Sequence, residues 1–233
     1  MKRDDRNLSV GERIKYALLA ALLGVAAFLA TACGGTRAQP ATAGADRTAG
    51  DAQTNRATAT GYLPADADFV REMIVHHHQA LDMTALAPDR TDSDDMRLLA
   101  ERIRQTQEYE IDLMRRWLEE RGELSPDKVD GKWVVGGHGG HGDHGGMAGM
   151  ASPEQMTALA ESEGAAFDRM FLELMIRHHE GALIMVDELL ETDGGGKEPN
   201  LFMMLSHIDA DQRAEITRMR GLLVHMDETG ENG

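Results

Sequence analysis

The stretch DADFVREMIVHHHQALDM at residues 66–83 decides the fold, because the chain carries it a second time as DRMFLELMIRHHEGALIM at residues 168–185. At an offset of 102, nine of the eighteen aligned positions are identical. The shared pattern is Asp-x2-Phe-x3-Met-Ile-x-His-His-x2-Ala-Leu-x-Met, and its spacings of three and four are typical of one face of a helix. The sequence therefore contains an internal duplication, and each copy predicts a helix.

A further repeat, at an offset of 105, predicts a second helix in each half. It aligns Ile103, Gln107, Glu110, Ile111 and Met114 with Ile208, Gln212, Glu215, Ile216 and Met219. The first predicted helix begins at Pro64. The other three run from about Asp95 to Arg121, from Ser152 to about Thr192, and from Pro199 to near Gly230. One helical hairpin cannot bury its apolar stripe alone, so we predict an all-α protein, a four-helix bundle made of two duplicated hairpins.

The predicted buried seam of this bundle contains a polar layer. Helical stepping places on this seam the side chains of His76, His178, Gln107, Glu110, Gln212 and Glu215. A neutral imidazole beside a carboxylate is satisfied either by a hydrogen bond or by a metal ion on its other nitrogen. The layer therefore indicates either a structural network or a metal site.

The hairpin geometry also predicts which side chains meet. If the first hairpin folds near residue 91 or 92, His76 lies opposite Gln107 and meets both Gln107 and Glu110 at roughly one level. A fold of the second hairpin near residue 196 or 197 sets His178 opposite Glu215. Neighbouring residues of a helix differ by about 100° in direction, so His77 and His179 are expected to point toward helix interfaces.

A glycine-rich segment at residues 136–150 joins the two halves. It contains His138, His141, His144, Met147 and Met150. Thioethers suit Cu(I), whereas imidazoles suit Cu(II), zinc or nickel, so the mixture favours copper over zinc or iron. The alternative is a low-complexity linker with incidental histidines.

The N-terminal residues have the pattern of an export signal. Basic residues precede an apolar run at 17–32 that is too short to span a bilayer, and small residues lead to Cys33, the single cysteine. This pattern predicts a lipoprotein signal peptide at 1–33 with lipidation of Cys33, which would anchor the protein to the outer face of a bacterial membrane. The alternatives are an uncleaved anchor, or ordinary cleavage that leaves a free thiol.

Residues 34–60 contain few large apolar side chains and are predicted to form a flexible tether, with the bundle domain at 61–230. The formal net charge of the whole chain is −16 at pH 7. A surface this acidic repels nucleic acid, so nucleic acid is excluded as a partner.

The histidine doublets with their flanking residues, and the later Gln-x2-Glu-Ile-x2-Met, resemble the bacterial family catalogued as domain of unknown function 305. The resemblance covers residues 61 to about 226 and implies a ferritin-like four-helix bundle. It also implies a role in copper binding, because some members of the family are exported, bind copper and contribute to copper tolerance. It implies that the binding residues are His76, His77, Met73, Met83, His178, His179, Met175 and Met185. The histidine-rich segment between the halves departs from the family pattern.

Together these features predict an exported, lipid-anchored protein that binds copper, as Cu(I) or Cu(II), for buffering, tolerance or transfer to a partner protein. One alternative is a metal-dependent oxidase at the polar layer. It is disfavoured because a ferritin-type di-iron site needs Glu-x-x-His, whereas Met73 and Met175 stand three residues before the first histidine of each doublet. The other alternative is a structural or partner-binding bundle whose polar layer fixes helix register. The sequence leaves open whether the protein forms a homo-oligomer.

Overall fold

A computed structural model describes residues 61–129, 131–134 and 146–230, apart from the side chain of Lys132. Its elements are α1 Pro64–Thr84, α2 Ala87–Arg90, α3 Asp94–Glu120, β1 Asp127–Val129, β2 Lys132–Val134, α4 Pro153–Glu161, α5 Gly164–Glu191 and α6 Pro199–Thr229. None of the helices in this part of the chain combines the length and the apolar character needed to cross a bilayer. The predicted signal peptide with Cys33, the tether at 34–60 and the loop histidines His138, His141 and His144 lie outside the described residues.

Side-chain caps fix the starts of three helices. The Ser93 hydroxyl accepts a hydrogen bond from the backbone N–H three residues later at the start of α3. Ser152 and Gln155 exchange reciprocal side-chain to backbone hydrogen bonds at the start of α4. The Glu198 carboxylate accepts from the backbone N–H of Leu201 at 2.8 Å. These contacts satisfy N–H groups that a first helical turn leaves unpaired, which explains why the helices begin at these residues.

A buried carboxylate joins the start of α1 to the turn between α5 and α6. One oxygen of Asp66 accepts a hydrogen bond from the backbone N–H of Leu63, and the other accepts from the backbone N–H of Gly196, both at 2.8 Å. Gly196 has a φ of +66°, a conformation that side chains disfavour. The first residue of the repeated pattern therefore ties the two halves together.

The second half differs from the prediction of one continuous helix from Ser152 to about Thr192. The chain is extended at Ser162 and Glu163, and Gly164 has a φ of +57°, so the segment divides into α4 and α5. The long helix α5 retains the whole repeated pattern. The break therefore lies outside the part of the helix that the duplication predicts.

A small antiparallel hairpin, β1–β2, was not predicted. It follows α3, and its register pairs Lys128 with Trp133. The sequence Asp130-Gly131 between the strands is a typical hairpin turn, and Gly131 has the positive φ that such a turn requires. The Trp133 ring packs against the imidazole of His78, with ring centroids 4.5 Å apart. The hairpin therefore covers the one histidine of the triplet that has no counterpart in the second half.

The four long helices form the predicted bundle. Helix α1 packs against α3, and α5 packs against α6, so each half is a helical hairpin. The two hairpins meet through contacts of α1 with α5 and of α3 with α6. This arrangement confirms the all-α four-helix bundle built from two duplicated hairpins.

The core is divided into two apolar clusters. The first apolar cluster includes Phe69, Met73, Ile111, Met114, Trp117, Met185 and Leu201. The second apolar cluster includes Met83, Leu99, Ile103, Phe167, Phe171, Met175 and Met219. Between them lies the polar layer, which we define as His76, His77, His178, His179, Gln107, Glu110, Gln212 and Glu215. Burial of the apolar clusters stabilises the bundle and at the same time shields this layer from water.

Candidate metal centre

The two histidine doublets converge where α1 contacts α5. The rings of His76 and His178 have centroids 3.8 Å apart and planes inclined by 34°. Both side chains are almost completely buried. The duplication therefore brings two imidazoles from separate halves into direct contact inside the bundle.

Backbone carbonyls determine which nitrogen of each of these rings carries the proton. Nε2 of His76 donates to the Ala148 carbonyl, and Nε2 of His178 donates to the His76 carbonyl, both at 3.0 Å. Because a carbonyl can only accept, the neutral rings must be protonated at Nε2 and must carry a lone pair at Nδ1. Both Nδ1 atoms are buried and have no hydrogen-bond partner in the described structure. An imidazole in this form is ready to bind a cation through Nδ1.

The second histidine of each doublet pairs with a carboxylate of the partner helix in its own hairpin. His77 Nε2 lies 2.7 Å from Glu110 Oε2, and His179 Nε2 lies 2.6 Å from Glu215 Oε2. The expectation that His76 meets Glu110 and His178 meets Glu215 was therefore wrong by one residue. His77 and His179 do point toward the helix interfaces, and it is there that α3 and α6 present the two carboxylates.

Burial lowers the pKa of three histidines of the layer, His76, His77 and His178, and so keeps them neutral. Loss of solvation lowers the pKa of His76 and of His77 to about 3, with the neighbouring histidines adding to the effect. The same desolvation, together with the nearby His76, lowers the pKa of His178 well below its ordinary value. A neutral imidazole is the form that binds metals, so the rings of His76 and His178, whose Nδ1 atoms carry lone pairs, do not need to lose a proton at neutral pH.

Burial raises the pKa of Glu110, whereas it lowers the pKa values of these three histidines. Desolvation, reinforced by Asp211 and Glu215, raises the pKa of Glu110 to about 8. Without a cation nearby, the carboxyl is therefore mostly protonated at neutral pH and can donate to His77. A cation on Nδ1 of His77 favours the ionised carboxylate, with His77 Nε2 as the donor, because the positive charge stabilises the negative one.

The layer contains further buried polar atoms without partners. Both side-chain amide atoms of Gln107 and of Gln212, and Oε1 of Glu110, make no hydrogen bond in the described structure. Nδ1 of His77 and Nδ1 of His179 share this property. Buried polar groups are normally satisfied, and such a concentration at one level of a well-packed bundle is typical of a site that holds a ligand.

The predicted methionine ligands flank the polar layer on both sides. Met73 of α1 and Met185 of α5 lie in the first apolar cluster. Met83 of α1 and Met175 of α5 lie in the second apolar cluster. Each cluster thus receives one thioether from each half, and the imidazoles lie between the two pairs of sulfur atoms.

The end of the glycine-rich segment packs on the bundle. We call residues 147–151 the crossing segment. Met147 packs against the first apolar cluster, Met150 is half-buried, and the Ala148 carbonyl contacts His76 as described. The crossing segment therefore forms part of the wall of the layer.

Two residues that sequence reasoning missed hold the crossing segment in place. The Gln79 amide group exchanges two hydrogen bonds with the backbone of Ala151, at 2.7 and 2.9 Å. A Cβ at Gly181 would lie 2.0 Å from the Ala148 carbonyl oxygen, so only glycine permits this approach. Gln79 and Gly181 occupy equivalent positions of the repeat at offset 102. A glutamine at this position in one half and a glycine in the other is therefore the sequence signal that the two halves contact the crossing segment in different ways.

The donor set fits a soft or borderline cation. In the ranges that the structure describes, no three histidine, cysteine or carboxylate side chains already surround one point. The layer instead offers unpartnered imidazole nitrogens with thioethers above and below, and Nε2 of every ring is held by a carbonyl or a carboxylate. Such outer contacts orient a histidine for metal binding, and nitrogen with sulfur is a donor set that suits copper.

Comparison with known proteins places the sequence and the fold in one family. The model of the family described as a domain of unknown function (DUF305) matches residues 66–223. Among curated proteins, no significant match to this chain was found. The structure resembles a DUF305 fragment from Deinococcus radiodurans at 30% identity and a TM-score of 0.59, covering 70% of this chain and 98% of that one. A candidate secreted DUF305 protein from Streptomyces coelicolor matches at 29% identity and a TM-score of 0.58, covering 69% and 93%.

A third similar structure is that of CopM in its Cu(I)-bound form. It shares 26% identity with this chain at a TM-score of 0.52, and the match covers 69% of this chain and 96% of CopM. CopM is also known in an Ag-bound form, which matches with a TM-score of 0.51. Since the family model matches more than half of the sequence and the fold agrees, this chain belongs to the family described as domain of unknown function 305, DUF305.

Proposed function

We propose that this protein binds copper at the polar layer while anchored to the outer face of a bacterial membrane by a lipid on Cys33. It buffers the ion there, contributes to copper tolerance, or passes the ion to a partner protein. The observation that carries the proposal is the hydrogen bonding of the four imidazoles. Each has Nε2 within hydrogen-bond distance of an oxygen and a buried Nδ1 without a partner.

The proposed ligands are the histidines of both doublets and the methionines that flank them. The nitrogen donors are His76, His77, His178 and His179, and the sulfur donors are Met73, Met83, Met175 and Met185. Thioether sulfur stabilises Cu(I), and imidazole accepts either oxidation state. The copper- and silver-bound forms of CopM support this assignment through the shared fold. Copper is the cargo of such a site and exchanges in the course of its function.

The glycine-rich segment is proposed as a second binding element. It would use His138, His141, His144, Met147 and Met150. Its end, the crossing segment, already contacts His76 through the Ala148 carbonyl. An ion bound by Met147 or Met150 would therefore lie at the edge of the polar layer.

A titration of the full chain in detergent micelles with Cu(I), against a competing chelator, tests the proposal. The variant His76→Phe/His178→Phe should lose the tightly bound ion, because it removes two donors and keeps ring-sized side chains. His78→Gln is the matched control. His78 is adjacent in sequence, but it packs on Trp133 and lies 3.2 Å from Arg115 instead of facing the layer. Equal affinities of the wild type and of the double variant would refute the proposal.

Two further measurements separate the alternatives. Oxygen uptake during addition of Cu(I) would continue beyond the bound equivalents in an oxidase, and it would stop at saturation in a binding protein. A bundle whose layer is only structural would show no change in metal content when the doublets are replaced. Labelling cells with a radioactive fatty acid should mark the wild type but not Cys33→Ser, which tests the anchor.

A further inference from the structure

One row of side chains on α6 runs from solvent to the polar layer. The row consists of Met203, His207, Asp211 and Glu215, at intervals of four residues. Each interval turns the direction of the side chain by about 40°, so the row winds around the helix. Met203 is 58% exposed, and His207 and Asp211 are exposed as well, whereas the side chain of Glu215 is only 13% exposed. We call these four residues the α6 row.

The inner part of the α6 row approaches the buried carboxylates. Asp211 is close enough to act electrostatically on both Glu110 and Glu215, and His207 acts on Glu110 and Asp211. Oε1 of Glu110 is buried and has no hydrogen-bond partner in the described structure. The row therefore leads toward Glu110, whose Oε1 is unsatisfied and whose Oε2 contacts His77 of the layer.

The equivalent row of the first half has different chemistry. At an offset of 105, the α6 row aligns with Leu98, Arg102, Thr106 and Glu110 of α3. Only the innermost carboxylate is common to both rows. Since both helices build the same bundle, the fold does not require a thioether, an imidazole and a carboxylate at these exposed positions of α6.

We propose that Met203 and His207 form a second metal site, on the exposed face of α6, for a soft monovalent cation such as Cu(I) or Ag(I). Side chains four residues apart on a helix are neighbours, so the Met203 sulfur and a His207 nitrogen can bind the same ion. These two donors suit Cu(I) better than hard cations, which prefer oxygen. Asp211 adds a negative charge beside the site.

The position of this site gives it a role as the entry to the polar layer. An ion held at Met203 and His207 is one helical turn from Asp211 and two turns from Glu215, which pairs with His179. Passage from the surface to the layer would thus follow carboxylates along α6. This role rests on the proposed function, whereas the surface site itself does not.

The site is tested with Ag(I) on the full chain in detergent micelles, with methionine methyl groups labelled for NMR. We compare the wild type with Met203→Leu/His207→Arg, which gives α6 the residues that α3 has at the equivalent positions. The wild type should show a shift of the Met203 methyl signal on addition of Ag(I). The variant should bind one equivalent fewer. Both substitutions are on the surface, so the bundle should remain folded.

The control is His225→Gln, because His225 is also exposed on α6 but has Gly221 four residues before it and Thr229 four residues after it, so no thioether lies four residues away on the helix. This control should bind as many equivalents as the wild type. A Met203 methyl signal that does not respond to Ag(I), or a variant with unchanged stoichiometry, would overturn the surface site. The His76→Phe/His178→Phe variant makes the two proposals separable. It should lose the layer site and keep the Met203 shift.

Discussion

The backbone carbonyl of His76 accepts a hydrogen bond from Nε2 of His178, so the histidine doublet of one half is fastened to the main chain of the other. This hydrogen bond joins two helices of the fold and also orients a residue of the candidate site. It fixes the tautomer of His178 and the register of α1 against α5. Changes in protonation or in metal content at this point should therefore alter the stability of the whole bundle.

Acid should unfold the metal-free protein. His76 and His77 have pKa values lowered to about 3, and that of His178 is lowered well below the ordinary 6.5. The unfolded chain binds protons at these residues below about pH 6.5 and the folded chain does not, so the free energy of unfolding falls as the pH falls from there toward 3. Each histidine contributes about 1.4 kcal/mol per pH unit in this range. Urea unfolding at several pH values, in the presence of a chelator, measures the effect.

Glu110 opposes this trend. Its pKa is raised from 4.5 to about 8, so its protonation favours the folded state, and that stabilisation is lost as the pH rises through this range. Three histidines outweigh one carboxyl below pH 6.5, and the net effect of acid is destabilising. A profile that is flat between pH 6.5 and 4 would contradict the burial of neutral histidines.

Gly181→Ala should detach or displace the crossing segment. The new Cβ would lie 2.0 Å from the Ala148 oxygen, and this clash with backbone should cost about 1 to 3 kcal/mol of the free energy of unfolding. The control is Gly221→Ala in α6, where a Cβ meets nothing within 4 Å. It should raise stability by about 0.5 to 1 kcal/mol, since alanine is the better helix former. Chemical denaturation of both variants compares them, and equal effects would exclude the contact.

Gln107→Leu should stabilise the metal-free bundle. Its amide atoms are buried without partners, so leucine removes an unsatisfied polar group at similar volume, for a gain of about 1 to 3 kcal/mol. Gln105→Leu, on the exposed side of the same helix, should change stability by less than about 0.5 kcal/mol. Thermal unfolding measures both. A loss of stability in Gln107→Leu would mean that its amide is satisfied in solution.

Glu110→Gln should weaken copper binding at the layer. Glutamine keeps the shape but not the charge that stabilises a metal-bound His77, and such outer partners are worth about 10- to 100-fold in affinity. Glu108→Gln is the control, because Glu108 is exposed and pairs with Arg104 on the outer face of α3. Competition titrations with Cu(I) compare the variants. An unchanged affinity of Glu110→Gln would remove this carboxylate from the site.

The fold was predictable because the duplication constrains it twice. Two registers, at offsets of 102 and 105, locate both helices of each half, and their apolar stripes require the hairpins to pack together. The Asp130-Gly131 pair is a typical hairpin-turn sequence, so the small β-hairpin was predictable as well. The break at Gly164 was not predictable in this way, because it lies before the repeated pattern begins.

The contacts of the site were less predictable than its members. Helical stepping identified the doublets and the polar residues of the partner helices, but it assigned Glu110 to His76 instead of His77. Two adjacent residues both lie near the seam, and only the packing angle of the helices decides which one reaches a given partner. The Ala148 carbonyl could not be found from sequence, because a main-chain atom of a glycine-rich segment carries no side-chain signal.

The crossing segment breaks the symmetry between the two halves of the bundle. His76 bonds to Ala148, whereas its duplicate His178 bonds to His76 itself, so two residues of common origin have unlike surroundings. A dimer of two identical hairpins would make these positions equal. Joining unequal copies in one polypeptide allows the two histidine doublets to have different partners while both keep their place in the bundle.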